Sequence, residues 1–344
     1  MLEAQKSSPR PAQHFEVVPN LLRDLARLGL ADACIAAGFP YNSWTLSNVS
    51  RSVRLEIPLR RLAADRYPPA LGIERGALLG ILAQSAVERG AQVQRGARVD
   101  ARAMGLDREP LQPPDPPLAD ADLVVLAAGA DSPLRAALFP TVPASLPGPR
   151  PWWCTVVPRP AGVDRMQIIV DAEHRKLFVL PLDSTRAGLA LISDLGMPPA
   201  GDGPIDATML RGQIEAFGQL SPRVLAALDA THPVTVWPVR DAILPAPWYR
   251  DRILCVGECA HALVPHFGQS AAMAVEDALV LGELLADGVD AGRLLERFMQ
   301  RREPRVRLLQ ALTGRAAAWE RQPDAATDLG QLAVEIAQVV ATPA

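Results

Sequence analysis

The sequence lacks the features of several large classes of protein. It has no apolar run of the ~18 residues that a membrane-spanning helix needs, and residues 1–20 lack the apolar core of a signal peptide. It has no Lys/Arg-rich run, and its 35 basic and 38 acidic residues give a net charge of −3. We therefore expect a cytoplasmic protein with no membrane segment and no nucleic-acid partner.

Cysteine is scarce as well. The four cysteines are Cys34, Cys154, Cys255 and Cys259. The last two lack CxxC spacing and have no partner cluster, so we expect no metal site. Scattered cysteines are typical of reduced thiols in the cytoplasm.

The amino-acid composition is typical of a soluble globular protein. The 344 residues are 49% hydrophobic and 21% charged, which indicates two or so domains. The 33 prolines cluster at residues 110–117 and 140–160. These clusters predict loops and a domain junction.

Hydrophobic periodicity predicts an α/β fold. Helical spacing predicts helices over residues 20–30, 77–87, 207–217, 222–228 and 290–319. Alternating or continuous apolar residues predict strands over 91–94, 122–127, 152–157, 166–170, 177–181, 188–193, 234–237 and 253–256. The strand over 122–127 is almost wholly apolar, which is typical of a buried parallel strand. The last helix places Arg301, Arg302 and Arg305 on its polar side.

The most informative stretch covers residues 253–285. A short apolar strand comes before a tight turn at Gly257, and a polar loop with His261 and Pro265 follows. Gly268 then opens a helix of small and apolar residues. A glycine turn and a glycine-led helix N-terminus direct backbone N–H groups toward an anionic or electron-rich ligand.

Part of this stretch reads G-E-C-A-H-A-L-V-P-H-F-G-Q-S-A-A-M-A-V-E-D-A. It resembles the carboxy-terminal flavin-binding signature of the FAD-dependent aromatic hydroxylases, roughly G-D-A-A-H-x-x-x-P-x-x-G-Q-G-A-N-x-A-x-E-D-A. These are single-component monooxygenases of the para-hydroxybenzoate hydroxylase and salicylate hydroxylase type. More than half of the positions agree with unbroken spacing. Glu258 replaces the usual Asp, and Ser270 replaces the second Gly of G-Q-G.

The resemblance implies an α/β architecture with an FAD-binding domain of the glutathione-reductase type. Residues 1–150 and 241–300 would form that discontinuous domain, and residues 151–240 would form an inserted β-sheet substrate domain. Residues 301–344 would be a C-terminal helical tail. The implied activity is hydroxylation of a small aromatic or polyketide-like substrate with FAD, NAD(P)H and O2, through a flavin C4a-hydroperoxide. The oligomeric state stays open.

The resemblance also implies which residues hold the cofactor. The implied FAD-binding residues are Glu3, Arg75, Gly129, Gly257, Glu258, Pro265, Gly268, Gln269, Ser270 and Ala271. His266 is the candidate catalytic residue, because it follows the proline expected beside the flavin edge. His261 is expected to fix the loop, and the Glu276-Asp277 pair is expected to be structural. Candidate pocket aromatics are Trp152, Trp153, Phe178, Phe217 and Trp237.

Two family features are missing. The chain contains no G-x-G-x-x-G loop, and it opens at the point that resembles the second strand of the family, where Glu3 lines up with the ribose-binding acid. The acidic residue of the family's A-D-G turn is Ala128 here. Either the sequence is truncated, or the chain has lost FAD and is a non-redox descendant, such as a binding protein, cyclase or isomerase. With the first strand absent, we expect an open slot in the parallel sheet.

Overall fold

A computed structural model describes residues 1–6, 12–106, 118–142, 150–196, 205, 207–218, 220, 222–229, 231–288, 290–322, 324 and 327–344. The side chains of Arg223 and Ala291 also lie outside the description. The proline-rich loop predicted at 110–117 lies outside the described residues, and so do residues 143–149 of the proline-rich stretch 140–160. The described residues form two compact units. The first unit contains Met1–Lys6, Val93–Pro147 and Arg240–Ala344, and the second contains Ser7–Gln92 and Gly148–Val239.

The strands are numbered in chain order. They are β1 Leu2–Glu3, β2 His14–Val17, β3 Phe39–Tyr41, β4 Ser43–Asn48, β5 Arg54–Pro58, β6 Ala70–Glu74, β7 Gln94–Arg95, β8 Val124–Leu126, β9 Trp152–Pro158, β10 Met166–Val170, β11 Lys176–Pro181, β12 Arg186–Ile192, β13 Thr235–Trp237, β14 Ala242–Ile243, β15 Tyr249–Arg250, β16 Ile253–Cys255 and β17 His261–Ala262. All eight predicted strands are present in whole or in part. The structure adds β2 to β6, β14, β15 and β17, which the sequence pattern did not predict.

The α-helices are numbered in the same way. They are α1 Pro19–Arg27, α2 Ala31–Ala37, α3 Arg75–Glu88, α4 Pro133–Leu138, α5 Ala207–Glu215, α6 Pro222–Ala226, α7 Gln269–Ala286, α8 Ala291–Arg321 and α9 Leu329–Ala341. Two 3-10 turns cover Gly257–Cys259 and His266–Gly268. The five predicted helices are confirmed with small shifts at their ends. The boundary predicted between residues 300 and 301 falls inside α8.

The second unit is built around a seven-stranded sheet in the order β13-β9-β12-β11-β10-β4-β5. Its pairs are antiparallel except β10 with β4. One face carries the main core, in which α5 and α6 pack on alternate strand residues such as Trp153, Leu177 and Leu189. On the other face, β2 approaches β12 so closely that a Cβ added at Gly188 would lie 2.4 Å from the His14 ring.

The strand β2 belongs to a three-stranded antiparallel sheet in the order β2-β6-β3. Residues 7–92 therefore belong to the same unit as the seven-stranded sheet, because β4 and β5 are part of that sheet. The division predicted at residues 150 and 240 groups residues 7–92 differently and stays a prediction.

The first unit contains the parallel strands expected for a dinucleotide-binding fold, but they form two separate sheets. The strand β1 pairs in parallel with β7, and β8 pairs in parallel with β16 in the order β15-β16-β8. The strand β8 is an edge strand of its sheet, and Val125 at its centre is 44% exposed. The expectation of a fully buried parallel strand over 122–127 is therefore wrong for Val125, because its side chain points to the opposite face from the buried Val124 and Leu126, and the described residues leave that face partly uncovered.

Candidate active site

The Gly257 turn joins β16 to the loop that leads into α7. Gly257 has a φ of +56°, and a Cβ added there would lie 3.1 Å from the Cβ of Ala274 in α7. Only glycine combines this left-handed backbone with such a close approach at low cost. The Gly257 N–H donates to Asp277 Oδ2 at 2.8 Å, so the turn is fixed directly to α7.

A buried network of charges holds this turn. His261 Nε2 lies 2.7 Å from Asp277 Oδ2, and Arg302 Nε donates to Asp277 Oδ1 at 2.7 Å. Arg302 also donates to Glu276 Oε2 at 2.5 Å, and Arg305 donates to both oxygens of Glu276. His261, Asp277 and Arg302 are all fully buried. The prediction that Arg302 lies on the polar side of its helix is wrong, because it pairs with both acids inside the unit.

The pKa of Asp277 reflects this environment. Burial alone would raise the pKa of Asp277, since it disfavours the charged form. The charge and hydrogen bond of His261, the charge of Arg302 and the Gly257 amide outweigh that effect and lower the pKa below its usual value. The carboxylate therefore stays ionised and holds the loop over a wide range of pH.

The segment before α7 leaves the helix N-terminus accessible. Phe267 and Gly268 both have left-handed backbones, with φ of 62° and 65°, and α7 begins at Gln269 with no side-chain cap. Ser270 and Ala271 in the first turn are partly exposed. The first turn of a helix carries partial positive charge and N–H groups without helical acceptors, so it favours an anionic ligand.

Several of the predicted cofactor residues meet around this N-terminus. Ser270 Oγ donates to Glu258 Oε1 at 3.3 Å, so the residues that depart from the family signature contact each other. Glu258 is exposed, and Pro265 immediately precedes the second 3-10 turn. The replacement of Gly by Ser270 thus supplies a hydroxyl that holds the longer Glu258 side chain.

The Gly129 turn lies beside the same region. Gly129 has a φ of +85°, and a Cβ added there would meet nothing within 4 Å. The turn is connected to the Gly257 turn, because Arg135 Nε donates to the Cys259 carbonyl at 2.9 Å and the Ala128 amide contacts the Cys259 thiol. The free space at Gly129 is therefore available to a ligand.

The three other predicted residues have described side-chain contacts with residues outside this cluster. The Glu3 carboxylate accepts from the Gln5 amide at 2.8 Å. Arg75 lies in the second unit, with its guanidinium 5.7 Å from the Trp237 ring centroid. His266 Nε2 lies 2.9 Å from Glu320 Oε2 of α8, and the His266 side chain is only 13% exposed. The catalytic role of His266 stays a prediction, and its observed contact is with α8.

In the second unit, the candidate pocket aromatics fall on opposite faces of the large sheet. Trp153 and Phe217 are fully buried in the core beneath α5 and α6. Trp152 and Phe178 are partly exposed on the other face and stack with ring centroids 5.0 Å apart. Trp237 pairs with Trp152 across neighbouring strands and faces the same side.

An acidic residue that the sequence reading missed lies by this partly exposed face. Glu16 of β2 accepts hydrogen bonds from Tyr41 Oη at 2.7 Å and Trp44 Nε1 at 2.5 Å. Burial raises the pKa of Glu16 to about 7, although both hydrogen bonds act to lower it. A single Glu in a strand carries no motif, and its partners are 25 and 28 residues away, so no sequence pattern indicated it.

Comparison with known proteins decides the family. The FAD binding domain family matches residues 17–313, which is most of the chain. The chain belongs to this family. The predicted resemblance to the FAD-dependent aromatic hydroxylases is confirmed.

Relatives of known name include several monooxygenases. The chain is 26% identical to 6-hydroxynicotinate 3-monooxygenase of Bordetella bronchiseptica over 302 residues, covering 84% of this chain and 78% of that protein. It is 32% identical to salicylate hydroxylase of Pseudomonas putida over 126 residues, covering 34% of this chain and 29% of that protein. It is 40% identical to 2-heptyl-3-hydroxy-4(1H)-quinolone synthase of Pseudomonas aeruginosa over 78 residues, covering 22% of this chain and 20% of that protein.

Solved structures share the fold. Klebsiella pneumoniae HpxO complexed with FAD and uric acid matches with a TM-score of 0.71 and 21% identity, covering 99% of this chain and 85% of that chain. The tetrameric form of 2-methyl-3-hydroxypyridine-5-carboxylic acid oxygenase matches with a TM-score of 0.73 and 20% identity, covering 94% and 85%. The mixed α/β fold of an FAD-binding protein is therefore confirmed.

The residues of the first unit fit FAD. The open space at Gly129 and the uncapped start of α7 leave room for a bulky anionic group beside N–H donors. Within the described ranges, no three His, Cys, Asp or Glu side chains are grouped to hold a metal ion. In the same ranges, no helix combines the length and apolarity needed to cross a membrane.

Proposed function

We propose that the chain is an FAD-dependent monooxygenase that hydroxylates a small aromatic substrate with NAD(P)H and O2. The observation that carries this proposal is the arrangement of the Gly257 turn, the α7 N-terminus and the open Gly129 turn in one unit of an FAD-binding fold. The names of the relatives support an aromatic substrate. Bound FAD would take two electrons from NAD(P)H and pass them to O2, of which one atom enters the ring and the other leaves as water.

The residues of this chain would contribute binding, charge stabilisation and exclusion of water. The first-turn amides of α7 would stabilise negative charge on the reduced cofactor, and small residues such as Ala271 let the backbone approach it. Glu258, held by Ser270, would accept hydrogen bonds from cofactor hydroxyls. The Trp152–Phe178 face would hold a flat apolar ring.

The first test is whether the full chain retains FAD. We expect the purified protein, mixed with FAD and freed of excess, to keep visible flavin absorption and to oxidise NAD(P)H when phenols are added. A protein that stays colourless would contradict the proposal and favour the FAD-lacking descendant, in which the substrate face serves binding or non-redox chemistry.

A pair of glycine variants tests where FAD binds. Gly129 and Gly162 have φ of +85° and +78°, and a Cβ at either position meets nothing within 4 Å. Gly129→Ala and Gly162→Ala therefore carry a similar backbone penalty. We expect Gly129→Ala to weaken FAD affinity about tenfold, or ~1.4 kcal/mol, because its methyl group enters the cofactor space. Gly162→Ala should leave the Kd for FAD unchanged, and equal losses in both variants would contradict this placement.

A further inference from the structure

Glu16 presents one carboxylate oxygen that the protein does not use. Both of its recorded hydrogen bonds, from Tyr41 and Trp44, end on Oε1. Among the described residues, no hydrogen bond or ion pair to Oε2 is recorded, and the Glu16 residue is only partly buried. Oε2 is therefore a hydrogen-bond acceptor that remains open to a ligand.

Apolar side chains surround this carboxyl group. Tyr41 packs in a cluster with Met166 and Leu180, against which Trp44 and Phe178 also pack. In this environment the cost of desolvating a charge is high, which is why the pKa of Glu16 lies near 7 instead of near 4.5. A small change in its surroundings is then enough to switch its charge at neutral pH.

The charged and titratable groups on the neighbouring elements already have other partners. His14 on β2 contacts the Leu189 carbonyl through Nε2, and burial lowers its pKa, so the ring is neutral at neutral pH. Glu74 on β6 is paired with Arg186 of β12. The Arg159 guanidinium lies 5.0 Å over the Phe39 ring. No described basic side chain forms an ion pair with Glu16.

The Glu16 carboxyl group accepts a hydrogen bond from Trp44, which lies on the apolar, partly exposed face of the large sheet. Trp44 lies opposite Met166 in the sheet register, and alternate residues of one strand share a face, so Trp44 and Ile168 share one face. Ile168 lies opposite Phe178 on the next strand, which stacks with Trp152. A flat ring lying on this row of side chains would meet the Glu16 carboxyl group at its edge.

We propose that Glu16 determines substrate specificity by accepting a hydrogen bond from a neutral ring hydroxyl or ring N–H at Oε2. The substrate is then a phenol or hydroxylated heteroaromatic ring without a carboxylate at that edge. An aromatic carboxylate would place a second negative charge against an acid that has no basic partner. This inference rests on the proposed hydroxylase function for its role in turnover, but the binding preference stands on the geometry of Glu16 alone.

The same contact would assist the reaction. As the ring hydroxyl transfers its proton to the Glu16 carboxylate, an oxygen lone pair moves into the ring and makes the ortho and para carbons more nucleophilic. One of these carbons forms the new C–O bond with one atom of O2 as the O–O bond breaks, and the other atom leaves as water with the two electrons that NAD(P)H supplies. Loss of the proton from that carbon restores the aromatic ring, and Glu16 later releases its proton to water.

The test compares three probes that share one ring. The probes are 4-methylphenol, which can donate a hydrogen bond, 4-methylanisole, which cannot, and 4-methylbenzoate, which is an anion. Dissociation constants for the full chain, with and without FAD, are measured by calorimetry from pH 5.5 to 8.5. Above pH 7, where Glu16 is ionised, we expect 4-methylphenol to bind about fivefold or more tightly than 4-methylanisole.

The direction of the pH dependence is the decisive readout. As pH rises through 7, affinity for 4-methylphenol should increase, because a carboxylate is a stronger acceptor than a carboxylic acid, and affinity for 4-methylbenzoate should fall. Glu16→Gln should abolish both slopes. Tyr41→Phe removes a hydrogen bond that lowers the pKa of Glu16, so the midpoint of both slopes should move to higher pH.

The control is Glu56→Gln on β5. Glu56 pairs with Arg165 and alternates with Ile57, so it lies on the opposite face of the sheet from Trp44. The affinities of Glu56→Gln for the three probes should equal those of the unmodified chain. Equal affinity of Glu16→Gln and the unmodified chain for all three probes at every pH would overturn the proposal. If the chain fails to bind FAD but shows the predicted slopes, the hydroxylase function fails and the specificity of Glu16 stands.

Discussion

Asp277 connects three parts of the first unit through one buried carboxylate. The Asp277 carboxylate accepts hydrogen bonds from the Gly257 amide in the turn and from Arg302 on α8. It also contacts His261, which follows the turn. Removing one partner of a buried charge pair leaves the other charge without compensation. The position of the Gly257 turn therefore depends on a residue of α7 that need not touch the ligand.

Substitution of Asp277 tests this connection. We expect Asp277→Asn to lower the free energy of unfolding by about 3–5 kcal/mol, because Arg302 and His261 lose the buried carboxylate that they share, and Glu276 compensates only Arg302. The matched control is Asp131→Asn, which breaks the pair between Arg240 and a side chain that is 64% exposed and should cost at most about 1 kcal/mol. Urea unfolding measures both values. Equal losses in the two variants would contradict the role of the buried network.

The stability difference between the unmodified chain and Asp277→Asn should depend on pH in a direction set by the pKa of Asp277. Because its folded pKa is lowered, the carboxylate stabilises the fold fully above about pH 5, where it is also ionised in the unfolded chain. The stabilisation is lost as pH falls through the folded pKa. The stability difference between the unmodified chain and Asp277→Asn should therefore shrink only in acid. A difference that instead disappears as pH rises would contradict the assignment.

Among the site residues, those in local motifs can be predicted from the sequence, and those that make long-range contacts cannot. The Gly257 turn and the start of α7 follow from glycine positions and a family signature, so the sequence alone predicts both. The ion pairs of Arg302 and the contacts of Glu16 join residues 25 or more positions apart. No local period links such pairs, because they are set by the packing of whole elements.

At the scale of elements, the packing of β2 on β12 depends on a glycine. The His14 ring occupies the space where a Gly188 side chain would lie, and its Nε2–H donates to the Leu189 carbonyl at 3.0 Å. This contact joins the three-stranded sheet to the large sheet. It also fixes the position of β2, the strand that carries Glu16.

A double-mutant cycle tests this packing. Gly188→Ala should lower the free energy of unfolding by about 2–3 kcal/mol, because its methyl group overlaps the His14 ring. His14→Ala should cost much less in that background than alone, since it removes the overlap. The control is Gly212→Ala in α5, where an added Cβ meets nothing, and it should stabilise by up to ~1 kcal/mol. Additive effects at positions 14 and 188 would contradict the contact.

Some strands can be predicted from the sequence pattern and others cannot. The strand over 166–170 was predicted with its observed ends, because its apolar residues stand between polar turns. The strands β3 to β6 were missed. Two of them contain proline and one contains a central glycine, Gly72, which is required because an added Cβ would lie 2.2 Å from the Pro181 carbonyl oxygen. Tertiary packing, not propensity, makes these residues strands.

At the scale of the whole molecule, the chain crosses between the two units more than once. The first unit takes residues from the start, middle and end of the chain, and the second takes the two segments between them. Sequence composition marks only one of these crossings, near the proline-rich residues 140–160. The other crossings fall where composition does not change, so hydrophobic patterning alone could not predict them.

Each unit has its own core and sheets, so we expect two unfolding transitions in differential scanning calorimetry. Of the residues predicted to hold FAD, all except Arg75 belong to the first unit. A ligand stabilises only the folded state to which it binds, by about 2.7 kcal/mol at a concentration of 100 Kd. FAD should therefore raise the melting temperature of one transition and leave the other unchanged, and Gly129→Ala should reduce that rise while Gly162→Ala should not. If FAD raises both transitions equally, the prediction that FAD stabilises the first unit alone is contradicted. A single transition with and without FAD would contradict independent units and show that the cores unfold together.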